Sequence, residues 1–253
     1  HGLLGRGAWS AGADAVRRNC PVACGSRVLG GLLLGVALAS PLSAIAEAPS
    51  RCFGTPSAGR LEGARKLPLS GPNFQSFSGL AASLGRTHAH STVEAIVVEA
   101  YAQLAERRPE LRFVYGEAAW LRGGRLAPHR THQNGTSVDF FVPVRDARGR
   151  SVPLPTSPFT RFGYDLEFDD EGRLDDLRID FEALAEHLYA LHRAAKAHGV
   201  GIRLVILDTR YLPLLEHSER GRWVRRHLNF LPRQAWVRHD EHYHIDFDIP
   251  CAN

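Results

Sequence analysis

Apolar residues recur every three or four positions in two stretches of the chain, which predicts two amphipathic helices. The first begins near Ser91, and the second runs from about Phe181 to Ala197 and stops near Gly199. The apolar positions of the first helix, which should face the core, are Val93, Ile96, Val97, Ala100, Tyr101 and Leu104. Each helix therefore needs a packing partner for its apolar face.

Short runs of branched and aromatic residues predict strands at 111–120, at 138–144, at 201–208 and in a last segment that contains HDEHYH at 239–244. WVRRHLNFL, residues 223–231, predicts a short helix before that last strand. The strands and helices follow no regular strand–helix–strand repeat. This order favours an α+β fold: a small antiparallel sheet flanked by helices and long loops.

Proline, glycine and serine are concentrated in two segments that should lack regular structure. Residues 48–79 predict an arm or loop laid over the domain, and residues 152–158 predict a second loop.

Residues 1–46 have the features of an export leader. Arg27 precedes the apolar run VLGGLLLGVALA, which is shorter than the roughly 20 residues of a membrane-spanning helix. Ala44-Ile45-Ala46 offers a small-residue cleavage site. We expect a leader at 1–46 and a folded domain at 47–253 that is not inserted in the membrane after cleavage. The alternative is an uncleaved membrane anchor, and both readings put the folded domain outside the cytoplasm.

The net positive charge of the chain does not indicate a nucleic-acid partner. Its formal charge is +4, but the leader holds four arginines against one aspartate. The remaining 207 residues are almost neutral, whereas nucleic-acid binding needs a concentrated basic surface. The oligomeric state stays open.

The cysteines are distributed so that two remain after removal of the leader, Cys52 and Cys251. Export permits disulfide formation, so these two can form one bridge between the ends of the domain. The alternative is two unpaired cysteines.

Candidate chemistry lies in two distant segments. His242 and His244 are two residues apart in a predicted strand, so their side chains share one face. THQNGTSVD supplies His132 and Asp139. Two imidazoles and a carboxylate suit a catalytic zinc ion, which typically takes three protein ligands and keeps one position open.

A zinc ion at these residues would polarise a peptide carbonyl and lower the pKa of water to roughly 7. His242 can transfer protons, because unperturbed histidine has a pKa near 6.5. Glu241 is an alternative, because its position three residues before His244 resembles that of the catalytic glutamate in D-Ala-D-Ala dipeptidases and carboxypeptidases, but strand alternation should turn it away from the shared face. His242 is therefore the favoured proton carrier.

HRTHQNGTSVD, GRWVRRHLNF and WVRHDEHYHIDFDIPC together resemble the penicillin-insensitive murein endopeptidases. These are periplasmic zinc peptidases of the larger group that contains lysostaphin-type and D-Ala-D-Ala peptidases. The segment CFGTPSAGRLEGARKLPLSGPNF is similar to the start of that family's mature domain. The resemblance covers most of residues 52–251.

The resemblance implies roles for particular residues. His132, Asp139 and His244 match the family's zinc ligands. His242 matches the histidine that handles the water or the tetrahedral intermediate, and His239 matches one that stabilises oxyanion charge.

His129 matches a family position linked to an accessory second metal, whose companion Asp-x-x-His is missing here. The nearest candidate, DDEGRL at 169–174, contains no histidine. We therefore expect one catalytic zinc, and whether a second metal site exists stays open.

The implied function is a periplasmic zinc metallopeptidase that cleaves the D-alanyl to meso-diaminopimelyl cross-links of peptidoglycan. Penicillin would not inhibit it, because no serine nucleophile is acylated. The alternatives are a D-Ala-D-Ala carboxypeptidase or dipeptidase that acts through Glu241, and a non-catalytic module that binds the wall.

Overall fold

The computed structural model describes residues 48–235 and 237–253, so the expected leader at 1–46 lies outside the described residues. The strands are β1 (Arg51–Thr55), β2 (Ala58–Glu62), β3 (Arg65–Lys66), β4 (Phe74–Ser76), β5 (His88–Ala89), β6 (Phe113–Tyr115), β7 (Ser137–Phe141), β8 (Val144–Arg145), β9 (Ser151–Val152), β10 (Arg173–Leu174), β11 (Leu177–Ile179), β12 (Ile202–Ile206) and β13 (His242–Phe247). The helices are α1 (Gly79–Ser83), α2 (Ser91–Arg107), α3 (Phe181–Ala197), α4 (Leu212–Leu215) and α5 (Glu219–His227). Short 3-10 helices span Pro158–Gly163 and Thr209–Tyr211.

A five-stranded sheet with the order β12-β13-β7-β6-β4 forms the centre of the fold. Its strands are antiparallel except for the parallel pair β4 and β6. Smaller sheets are β1-β2, β3-β5 and β10-β11-β8-β9. The α+β class and the small antiparallel sheets are confirmed.

The segment 48–79 differs from its expected loop structure. It contains the β1-β2 hairpin, and β4 pairs with β6 in the central sheet. Backbone pairing and burial of Leu61, Leu67 and Phe74 outweigh the turn-forming composition of the segment. The prediction of an irregular arm is therefore wrong for this part of the chain.

Two long helices cover one face of the central sheet. The bounds of α3 are those predicted, and the residues buried by α2 are the six apolar positions named above. His90 caps α2 by accepting a hydrogen bond from the Thr92 amide. Asp180 caps α3 in the same way, because its side chain accepts a hydrogen bond from the Ala183 amide. His187 of α3 contacts the Tyr243 hydroxyl of β13, which places Tyr243 on the helix-covered face.

Two predicted elements have different bounds in the structure. The strand expected at 111–120 ends at Tyr115, because the next residues turn and pair elsewhere: the Ala118 amide donates to the Arg86 carbonyl. The helix expected from 223 begins earlier, at Glu219, because the Ser218 hydroxyl accepts from the Gly221 amide and caps it.

Cys52 and Cys251 form the expected disulfide bond, with their Cα atoms 4.8 Å apart. Hydrogen bonds flank the bridge, from the Gly54 amide to the Ala252 carbonyl and from the Ala252 amide to the Cys52 carbonyl. The two ends of the folded domain are thereby joined. Within the described part of the chain, no helix has both the length and the apolar character needed to cross a membrane.

Candidate metal centre

The central strands β7 and β13 bring the two halves of the candidate site together. Their antiparallel register sets His244 opposite Asp139 and His242 opposite Phe141. Strand alternation puts His242 and His244 on the face opposite Tyr243, which contacts the helices. The site is therefore built on the uncovered face of the sheet from residues about one hundred positions apart.

Asp139 occupies the middle of the site and is almost completely buried. Its Oδ1 lies 2.8 Å from His244 Nδ1 and 3.2 Å from His132 Nε2. Burial by itself would raise the pKa of Asp139, but the neighbouring His132 and His244 outweigh burial and hold that pKa well below its usual range. Asp139 therefore carries a buried negative charge that faces two imidazoles.

His132 lies on the loop before β7 with a left-handed backbone, φ 68°. Its side chain is fully buried, and neither ring nitrogen makes an aligned hydrogen bond with the described residues, although Nε2 lies 3.2 Å from Asp139 Oδ1. Buried polar atoms without partners are rare and costly. A metal ion beside Asp139 would supply the missing partner, so the residues present fit a metal site.

His244 is enclosed by two carboxylates. Its Nδ1 faces Asp139, and its Nε2 lies 3.0 Å from Asp246 Oδ1. Burial lowers the pKa of His244, but Asp246 and Asp139 overcome that effect and raise it to about 10. Asp246 is itself held by the Ser137 hydroxyl at 2.5 Å and by Arg203 at 2.9 Å. A histidine that ligates metal usually donates its other N–H to such a carboxylate.

His129 also joins the cluster. One ligand atom from each of His129, His132 and Asp139 lies within 4.8 Å of the others, so these three residues form a group that could hold a metal ion. His129 Nδ1 is 3.6 Å from Asp139 Oδ2, and its Nε2 contacts Glu117 Oε2. Glu117 in turn pairs with Arg86.

DDEGRL, the segment considered for a second metal, forms an exposed turn that leads into β10.

Tyr164 supports Asp139 from the loop that follows Pro158–Gly163. Its hydroxyl donates to Asp139 Oδ2 at 3.2 Å and accepts from the Glu117 amide at 3.1 Å. Burial raises the pKa of Tyr164 well above its usual value, with Asp139 and Glu117 acting in the same direction. The hydroxyl therefore stays protonated and remains a donor.

His242 and His239 lie side by side next to this cluster, with ring centroids 4.5 Å apart. His242 Nδ1 is 2.7 Å from Glu241 Oε1, and His239 Nδ1 is 2.9 Å from the Val237 carbonyl. Burial lowers the pKa of His242 to about 4 and that of His239 to about 3. Both imidazoles are therefore neutral near pH 7 in this arrangement.

Glu241 does not turn away from the site as strand alternation predicted. β13 begins at His242, so the alternation of the strand does not extend to Glu241. Its side chain borders the same cavity as His242 and His244. Burial raises the pKa of Glu241 to about 8.

A cavity of about 520 Å³ opens above these residues. Its walls combine the cluster with arginines and apolar side chains, including Arg86, Arg130, Arg161, Arg238, Phe77, Leu80, Leu84, Pro128, Phe162 and Val237. Leu80, Leu84 and Val237 are all more than half exposed. The cavity can therefore admit a ligand that has both apolar and anionic groups.

Three residues of this site have no role in the sequence analysis: Glu117, Tyr164 and Asp246. Alternation could have found Asp246, because it is two residues beyond His244 on the same strand face. Glu117 and Tyr164 carry no local signal, since each reaches Asp139 or His129 through a loop.

The α+β fold, the cavity and the cluster of imidazoles and carboxylates define a protein with a possible metal-dependent active site. Over residues 52–253 the chain matches the penicillin-insensitive murein endopeptidases, and it belongs to that family. No curated protein matches the chain significantly.

Family membership makes the chain a peptidase of a type that acts on peptidoglycan. Peptidoglycan lies outside the cytoplasmic membrane, and disulfide bonds are typical of oxidising compartments. Both observations indicate an extracellular or periplasmic location.

Proposed function

We propose that this protein is a zinc-dependent endopeptidase that hydrolyses the D-alanyl to meso-diaminopimelyl cross-links of peptidoglycan. Its catalytic domain would comprise residues 47–253, exported to the periplasm by a leader at 1–46. The observation that carries the proposal is the buried His132, whose Nε2 lies 3.2 Å from Asp139 Oδ1 without an aligned hydrogen bond, while Asp139 itself borders an open cavity.

His132, Asp139 and His244 would hold the zinc ion. Imidazole nitrogen and carboxylate oxygen are donors that zinc accepts readily. Asp246 supports the choice of His244, because it would accept the remaining N–H of that ring. When bound, zinc supplies a Lewis acid that polarises the scissile carbonyl and lowers the pKa of water.

His129 is the competing third ligand, since it lies in one group with His132 and Asp139. Its Nε2 is already engaged by Glu117, and its Nδ1 is farther from Asp139 than that of His244 is. We therefore assign His129 to orienting Asp139 and keep a single zinc ion.

The two remaining histidines would move protons and stabilise charge. His242 would accept a proton from the attacking water and deliver it to the leaving amine, because its neutral imidazole borders the cavity. His239 would stabilise the negative charge that develops on the carbonyl oxygen; because its Nδ1 donates to the Val237 carbonyl, its Nε2 can donate to that oxygen only when the ring is protonated. Arginines in the cavity wall suit the free carboxylates of the peptide stems.

Digestion of purified cross-linked murein by residues 47–253, with and without a chelator, tests the proposal. Chromatography and mass spectrometry would follow muropeptide dimers and monomers. We expect dimers to become monomers, and we expect the chelator to stop the reaction and added zinc to restore it.

Survival of the dimers with zinc demonstrably bound would refute the endopeptidase assignment. Release of D-alanine from D-Ala-D-Ala termini would then identify a carboxypeptidase, and binding of murein without any cleavage would identify a wall-binding module.

A further inference from the structure

Glu241 is a buried carboxyl group for which the proposed reaction has no role. Its Oε1 lies 2.7 Å from Nδ1 of His242, and the side chains of both residues are at most 5% exposed. Two polar groups enclosed at this distance share a hydrogen bond. The contact engages Nδ1 of His242 and does not involve Nε2, the second nitrogen of the ring.

The chain segment that carries Glu241 is held in place by its neighbours. The Val142 amide donates to the Glu241 carbonyl at 3.0 Å, which ties its backbone to the chain just after β7. Asp240, which precedes it, is fully buried and accepts from the Phe168 amide at 2.8 Å. Arg238 lies 3.0 Å from the other oxygen of Asp240. The Glu241 side chain therefore extends towards His242 from a segment that these contacts hold in place.

We propose that Glu241 is a positioning residue: its Oε1 accepts the Nδ1 hydrogen of His242 and so presents the unprotonated Nε2 of His242 to the substrate. This inference rests on the function proposed above, because it gives proton transfer to His242. The hydrogen bond that one ring nitrogen makes decides which nitrogen carries the proton.

The proposal separates two roles that Glu241 could have. A positioning residue only needs an acceptor oxygen, and Oε1 accepts both as a carboxylate and as the carbonyl oxygen of a carboxylic acid. The amide oxygen of glutamine would do the same. A glutamate that itself carries the proton could not be replaced by glutamine. E241Q and E241A therefore distinguish the roles.

The first measurement reads the tautomer directly, without turnover. Protein labelled with ¹⁵N-histidine would be studied by NMR, and the His242 signals would be assigned by their loss in H242Q. We expect wild type and E241Q to carry hydrogen on Nδ1 of His242. In E241A the ring loses its acceptor, so we expect a shift towards hydrogen on Nε2.

The second measurement is steady-state kinetics on cross-linked muropeptide dimers. We expect E241A to lower kcat by about 10- to 100-fold, the usual size of effect for a carboxylate that orients a histidine in a metal site. Its KM and zinc content should stay near those of wild type, and E241Q should recover most of kcat. E106Q is the matched control, because Glu106 is exposed on α2 and outside the cavity wall.

Three outcomes would overturn the proposal: hydrogen on Nε2 of His242 in wild type, E241Q as inactive as E241A, or E241A as active as wild type. Loss of zinc from E241A in proportion to its loss of kcat would also overturn it, because the effect would then be on the metal site. A wild-type protein that cleaves no dimers would count against the proposed function alone, since the tautomer measurement still decides the contact between Glu241 and His242.

Discussion

Single residues in this protein divide into those that could touch a metal ion and those that hold them in place. His132 and Asp139 belong to the first group, because the His132 ring makes no aligned hydrogen bond and the buried Asp139 carboxylate needs a cation. Tyr164 and Asp246 belong to the second, because each forms a hydrogen bond with a candidate metal ligand. The two groups respond differently to mutation.

Substitutions at His244 and His242 should separate metal binding from proton transfer. H244A removes a ligand, so we expect zinc content measured by atomic emission to fall to background together with activity. H242A should keep one zinc per chain and lose activity by 100-fold or more, roughly the contribution of a general base. Full zinc content in H244A, with loss in H129A, would assign the third ligand to His129 instead.

Removal of the Tyr164 hydroxyl should weaken zinc binding without preventing it. Y164F leaves Asp139 Oδ2 without its donor at 3.2 Å, so the carboxylate is less well oriented. We expect the Kd for zinc, measured by competition with a chelating dye, to rise about 10- to 100-fold. Tyr189 lies on α3 against Trp223, so Y189F is a matched control that should leave the Kd unchanged.

The secondary-structure elements determine which residues can meet. The pairing of β7 with β13 sets Asp139 opposite His244, and a shift by one residue would move both histidines of β13 to the helix-covered face. α3 secures that register, because its His187 contacts Tyr243 of β13. Packing between α3 and β13 thus protects the geometry of the site.

The buried His187, at the contact between α3 and β13, should make the free energy of unfolding depend on pH. Burial lowers the pKa of His187 to about 3, whereas the unfolded chain has a value near 6.5. The unfolded state therefore binds more protons, and the free energy of unfolding should fall as the pH decreases from about 6.5 towards 3. The slope from this group reaches about 1.4 kcal/mol per pH unit.

Urea unfolding of wild type and H187Q across that pH range measures the effect. H187Q keeps a polar group near Tyr243 but cannot titrate, so its unfolding free energy should fall less steeply. Exposed His217 supplies the control, since H217Q should retain the wild-type slope. If the unfolding free energies of wild type and H187Q change with pH in parallel, His187 has the same protonation in the folded and unfolded states.

On the scale of the whole molecule, the two ends of the domain meet beside the loop that carries His132. The disulfide joins Cys52 to Cys251, and Asn134 lies 3.4 Å from the sulfur of Cys251. The Gln133 amide donates to the Pro56 carbonyl of the N-terminal hairpin. The joined ends of the domain therefore support the loop that carries His132.

Loss of the bridge should destabilise the domain. The disulfide closes a loop of 199 residues, so its removal releases a large amount of chain entropy in the unfolded state. We expect the double variant C52S/C251S to lose about 2–5 kcal/mol of stability and to show a lower Tm by calorimetry. Dithiothreitol should lower the Tm of wild type and leave that of the variant unchanged. Equal Tm values for both proteins would contradict the prediction.

The sequence by itself determined the features that depend on local periodicity or on covalent chemistry. The 3.6-residue repeat fixed the bounds of α3 and the buried face of α2, and the alternation in β13 put His242 and His244 on one side. Only two cysteines remain beyond the predicted leader, which made their pairing predictable.

Only the tertiary structure decided how distant segments meet. Asp139 and His244 lie 105 residues apart, and their contact depends on strand register. Glu117 and Tyr164 reach the site through loops, and Glu241 turns towards His242 because it precedes the strand. Register, loop paths and burial arise from packing of the whole chain, so no periodicity within one segment could have predicted them.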